Sequence, residues 1–226
     1  MTGEPESLDT AEPLAARLRR HDYDRLIMLS DGVFAIAITL LAFDIRPPAG
    51  WDGQFASFWA TLRPLFSAYL LSFLVISVYW LMHRRFMARL ARVDAVATVL
   101  NLVMLGLVAL LPAATRLAEA TDGPTPALGL YAALVIAIGV SIALFWGYAG
   151  LIGGLALSEV GPRDRWIGFL GALLSPPAFL ALTIETRIPP RLVPVALLLL
   201  FIGGSMALSR LTREPQRAPD QPTSNL

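Results

Sequence analysis

Residues 25–45 form a nearly unbroken apolar run, RLIMLSDGVFAIAITLLAFDI, about the length of one bilayer crossing. Arg25 opens the run and Asp31 stands inside it. A charge placed in hydrocarbon costs roughly 2.5–3.5 kcal/mol on insertion scales. A membrane segment keeps such residues where they have a partner or a task, so this one is expected to turn its polar groups toward protein or water. Ser30, Gly32, Ala35 and Ala37 surround the carboxylate. Side chains this small let another helix backbone come close.

Five more apolar runs follow, at about 62–82, 93–111, 127–157, 166–184 and 193–208. The chain of 226 residues is 56% hydrophobic and only 15% charged, with a mean hydropathy of +0.63. A soluble domain carries about 25% charged residues, so the deficit points to an integral membrane protein. The expected fold class is all-α integral membrane, with six transmembrane helices in one domain over residues 21–211. Residues 1–20 and 212–226 are expected as disordered tails. Proline places the breaks, because it cannot continue a helix and disfavours the helical conformation before it. Pro47 and Pro48 should end the first span, Pro112 the third, and Ser175-Pro176-Pro177 should break the fifth. Pro64 is expected in the first turn of the second span, and Gly150 with Gly154 as a small-residue face for helix contact. Trp51, Phe55, Phe58 and Trp59 suit an interfacial belt, and Thr121-Asp122-Gly123-Pro124 a turn.

The arginines orient the spans. All 18 basic residues other than histidine are arginine. With the N-terminus in the cytoplasm, only Arg46, Arg63, Arg116, Arg187 and Arg191 fall outside. The positive-inside rule therefore predicts a multi-pass protein of the cell membrane with both termini cytoplasmic.

The same inventory argues against other classes. A net charge of +1 gives no footprint for nucleic acid. Cysteine is absent, so thiolate metal sites are excluded. The two histidines, His21 and His83, lie far apart in the topology, and no nucleophile elbow, zincin helix or phosphate loop occurs. The expected protein is not an enzyme and holds no metal or other cofactor. Six positions apart, Arg25 and Asp31 diverge by about 120° and by about 9 Å along a helix, too far to pair. Each needs a partner elsewhere, and His83 and Asp94 lie at the same side of the membrane. Such a set reads as a structural clasp, with gating biased by protonation as its alternative. On the same helix Leu29, Ile36, Thr39, Leu40 and Phe43 form one narrow stripe, which periodicity alone would assign to lipid or core.

The motif Arg25-x4-Ser30-Asp31-Gly32-Val33-Phe34-Ala35-Ile36-Ala37-x-Thr39-Leu40 resembles the first-helix signature of the transmembrane protein 175 family, potassium channels of lysosomes and many bacteria. Leu29 stands where the family usually has Phe. Trp80-x2-His83 with Phe86, and Asp94-x6-Asn101-Leu102, resemble the family's next two segments, with Arg84 replacing one histidine of the usual pair. The resemblance implies a homotetramer whose first helices line a central potassium pore. It also implies a constriction of Ile36, Leu40 and Phe43 with a polar layer at Thr39. The clasp would then comprise Arg25, Ser30, Asp31, His83, Asp94 and Asn101. Its implied partners are potassium ions, the lipid bilayer and further copies of the chain. The Thr-Val-Gly-Tyr-Gly filter of other potassium channels is absent. Two alternatives remain: a proton pathway through Asp31, His83 and Asp94, and a secondary cation transporter with helices broken at the prolines.

Overall fold

The computed structural model describes residues 14–43, 45–46, 51–120 and 126–185. These fold into five α-helices: α1 (Leu14–Ala42), α2 (Phe55–Met87), α3 (Ala95–Glu119), α4 (Pro126–Trp146) and α5 (Pro162–Glu185). A single π-helical turn, Gly147–Ile152, continues α4. Among the described residues, α1 to α4 are long and apolar enough to cross a membrane, α4 together with its π turn. The expected fifth span coincides with α5. The sixth, 193–208, lies outside the described residues, as do the tail segments 1–13 and 212–226 and the expected turns at 47–50 and 121–124.

Helix boundaries depart from the proline rules in one direction: the helices are longer. α1 begins at Leu14, within the stretch expected as a tail. α2 begins at Phe55, so Pro64 is its tenth residue rather than part of its first turn. α3 runs through Pro112 to Glu119, and α5 runs through Pro176 and Pro177. Proline in a helix interior loses one backbone hydrogen bond and kinks the chain. In an apolar span an unwound backbone would expose several such groups, so continuing the helix is the lesser cost. The expected fourth span is the one that shortens: regular helix stops at Trp146.

The reason lies in the residues around Trp146, which is fully buried. Its ring stacks on Phe86 at 4.6 Å, and its indole N–H donates to the Arg165 carbonyl at 2.9 Å. A Cβ at Gly150 would lie 3.0 Å from this ring, and one at Gly168 would lie 2.7 Å from its nitrogen. Glycine at both positions therefore admits the indole between the π turn and α5. Gly154 instead has a φ of +61°, outside the helix, where it turns the chain. It does not form a helix-contact face with Gly150. Beyond it, the 155–157 segment pairs antiparallel with the α2–α3 loop: the Ala91 amide donates to Leu155 and the Leu157 amide to Arg89.

α3 lies at the centre, packed against α1, α2 and α4, with α5 on the far side of α4. The core fills from all five helices, with Phe34, Ile76, Met104, Leu111, Ile138, Phe145 and Ala172 essentially inaccessible. α1 divides sharply. Leu26, Ser30, Phe34, Ala37 and Leu41 form its buried arc; Met28, Leu29, Ile36, Leu40 and Phe43 stand exposed.

Candidate functional site: the first helix and its anchors

The buried arc of α1 is held by a line of polar groups. The Ser30 hydroxyl donates to the Leu26 carbonyl one turn back, at 2.7 Å. Its lone pairs are thus free to accept, and the Asn101 amide nitrogen of α3 donates to it at 3.0 Å. That fixes the amide: the Asn101 oxygen faces His83 of α2, 2.7 Å from Nε2. An amide oxygen only accepts, so His83 Nε2 carries the proton. The imidazole lies between Phe34 at 5.7 Å and Phe145 at 6.0 Å and is 2% exposed. Three helices are joined by one donor chain from His83 through Asn101 and Ser30 to a backbone carbonyl. Among the described residues, no buried polar side-chain atom lacks a partner.

Asp31 points to another side. It accepts from the Trp80 indole N–H at 2.7 Å, and the Arg84 guanidinium stands over that indole ring at 5.5 Å. Its partner is therefore Trp80, rather than the expected His83 or Asp94. A helical reading contains the signal: Trp80 precedes His83 by three residues and shares its face of α2. Tyr23 supplies a further tie, donating to the Met87 carbonyl at 2.6 Å.

Asp94 is not inside a span. It caps α3, accepting from the Ala97 amide at 2.8 Å, and its other oxygen accepts from the Tyr148 hydroxyl of the π turn at 2.7 Å. Partial burial pushes this carboxyl up. The Ala97 amide, the Tyr148 hydroxyl and the Val96 amide outweigh that effect and hold it below the ordinary carboxylate range. Arg25 stands apart from all of these. It is exposed, and among the described residues no hydrogen bond or ion pair reaches it. The six residues expected as one clasp thus fall into four places. Ser30, His83 and Asn101 are together, Asp31 is with Trp80, Asp94 is at the α3 cap, and Arg25 is free on the surface.

The apolar stripe is on the opposite side of α1. Ile36 is 60% exposed, Leu40 40% and Phe43 65%, while Leu41 is buried and Ile38 and Ile45 are half-buried. Thr39 is exposed on the same side, its hydroxyl donating back to the Ile36 carbonyl at 2.9 Å. A second buried polar line, missed in the sequence, joins α2, α3 and α4. Thr115 donates to the Leu111 carbonyl, Ser72 lies 2.9 Å from Thr115, and Tyr131 lies 3.2 Å from Ser72. Because the Thr115 proton is committed, Ser72 donates to Thr115 and Tyr131 donates to Ser72.

Long apolar helices tied by buried polar lines, with no group of three or more metal-ligating side chains among the described residues, define an all-α multi-pass membrane protein. The profile of a family described as endosomal/lysosomal potassium channel TMEM175 matches residues 25–112. A potassium channel of Streptomyces collinus is 38% identical over 129 residues, covering 54% of this chain and 62% of the relative. A potassium channel of Chamaesiphon minutus is 36% identical over 135 residues, covering 55% and 64%. The matched segments thus span under two thirds of these relatives. The crystal structure of a lysosomal potassium-selective channel TMEM175 homolog from Chamaesiphon minutus superposes with a TM-score of 0.65 at 26% identity. That superposition covers 83% of this chain and 98% of the other. The chain is a homologue of the TMEM175 potassium channels, an ion-channel family and not a family of enzymes.

Proposed function

We propose that the protein is a potassium-selective channel in which four copies place α1 around a central axis. Both termini would lie in the cytoplasm. The observation that carries this reading is the division of α1. One arc is anchored by Ser30, Phe34, Ala37 and Leu41, and the other presents Ile36, Thr39, Leu40 and Phe43, exposed among the described residues. Charged Arg25 lies on that exposed side of a membrane span. A helix facing lipid throughout would pay for such a residue; a helix facing a wet conduit would not. The relatives named as potassium channels supply the ion.

One subunit with one such face cannot enclose a path, and closed symmetry supplies the rest. A ring of Ile36, Leu40 and Phe43 would resist water and gate by dewetting. An ion crossing it sheds much of its hydration, which penalises sodium more than potassium, and Thr39 hydroxyls would replace part of the shell. The transporter alternative loses its motive, since α3 and α5 continue through the prolines expected to break them. Purified protein in liposomes, given potassium, sodium and proton gradients in turn, tests the reading. Uncoupled potassium flux exceeding sodium flux is expected. Saturable coupled exchange, or proton flux without potassium flux, would overturn it.

A further inference from the structure

The N-terminal end of the exposed α1 face carries an arginine toward one flank and a carboxylate toward the other. Taking Ile36 as the zero of the helical wheel, Arg25 lies at about −20°, His21 at about −60° and Asp22 at about +40°. Phe43 and Leu40 share the directions of Arg25 and Asp22, so the three polar residues continue the apolar stripe. All three are exposed. His21 and Arg25, with Met28 and Leu29, border one open hollow on this face. Asp22 and Arg25 are three residues apart, a spacing at which helix neighbours can pair. Yet among the described residues neither makes a hydrogen bond or ion pair.

A face with a basic flank and an acidic flank is not self-complementary about a two-fold axis perpendicular to the helix, where like flanks meet in opposite directions. It is complementary in a head-to-tail ring, where the basic flank of each copy meets the acidic flank of the next. The three-residue offset is about 4.5 Å along the helix, within reach of an arginine side chain. We propose that Arg25 of each copy pairs with Asp22 of the adjacent copy, forming a collar of alternating charge below the apolar ring. The occupant of this face is a second copy of the chain. The inference rests on the proposed ring of α1 helices and adds its register and the contact that closes it. It also gives Arg25 a partner that the described residues of its own protomer do not provide.

The chain contains no cysteine, which makes cross-linking specific. Two differently tagged full-length chains, one Asp22→Cys and one Arg25→Cys, are co-expressed, oxidised in the membrane and run without reductant. The expected result is a mixed-tag covalent dimer, at least fivefold more abundant than with Asp24→Cys replacing Asp22→Cys. Asp24 is also exposed but lies about 160° from Asp22 on the wheel. A double Asp22→Cys/Arg25→Cys chain should give a ladder up to four copies. Absence of the mixed dimer while the variants still elute as oligomers would overturn the pairing and leave the ring intact. Elution of the wild-type chain as a monomer would overturn both.

Discussion

Two buried lines of hydrogen bonds hold the helices, and they are built differently. The line through His83, Asn101 and Ser30 is centred on an amide and anchors α1. The line through Tyr131, Ser72 and Thr115 consists of hydroxyls and joins α2 to α4 without touching α1. Both end by donating to the carbonyl one turn back, Leu26 in one and Leu111 in the other. The amide has separate donor and acceptor ends in a fixed plane, so the first line accepts one arrangement only. A hydroxyl rotates, so the second can rearrange when a member is lost. The difference teaches where position matters: the helix proposed to line the pore is held by the line that tolerates no alternative.

Breaking the amide line should have the largest effect. Asn101→Ala strips the acceptor from His83 and the donor from Ser30 at two inaccessible sites. A loss of about 1–3 kcal/mol is expected for the orphaned imidazole N–H, while Ser30 keeps its bond to Leu26. Thermal unfolding in detergent would report it as a lower midpoint with less assembled protein; a midpoint equal to wild type would mean that the line does not anchor α1.

Ser72→Ala probes the hydroxyl line and should cost less, about 0.6–1.7 kcal/mol, the range for interhelical hydrogen bonds in membranes. Thr115 keeps its bond to Leu111, so only Tyr131 loses its acceptor. A cost equal to that of Asn101→Ala would erase the distinction between the two lines.

The smallest effect should come from acid at the α3 cap, which belongs to neither line. The carboxyl of Asp94 titrates below its unfolded value near 3.9. Its contribution is therefore complete above that value and disappears as pH falls through the folded one. Hydrogen exchange at the Ala97 amide should quicken relative to other α3 amides on acidification below about pH 4. The Asp94→Asn protein should lack this relative change. Equal pH responses in both proteins would contradict the assignment of the cap.

The four helices α1 to α4 were legible in the sequence because apolar runs of bilayer length have few other uses. Their ends were not. Pro112, Pro176 and Pro177 read as stops by local rules, and the membrane setting overrides those rules. Gly150 and Gly154 share a spacing, but one admits the Trp146 ring and the other turns the chain, a distinction that depends on a distant indole. The buried members Ser30, His83 and Asn101 were visible through the resemblance. Their grouping was not, since Asp31 and Ser30 are adjacent in sequence but about 100° apart on the helix. That angle sends Asp31 to Trp80 and Ser30 to Asn101. Ser72, Thr115 and Tyr131 carry no motif, and only their packing brings them together.

The central claim is that the exposed stripe of α1 lines the conduction path while its other arc serves packing. Liposome flux of potassium and of sodium, measured for the wild-type, Ile36→Asn and Ile38→Asn proteins, tests it most directly. Ile36→Asn should wet the constriction, raising total flux and lowering the potassium preference in protein that assembles normally. Ile38→Asn, on the half-buried side, should reduce the yield of assembled protein and leave the selectivity of what remains unchanged. Unchanged flux and selectivity in assembled Ile36→Asn protein would contradict the claim, and the path would have to run elsewhere.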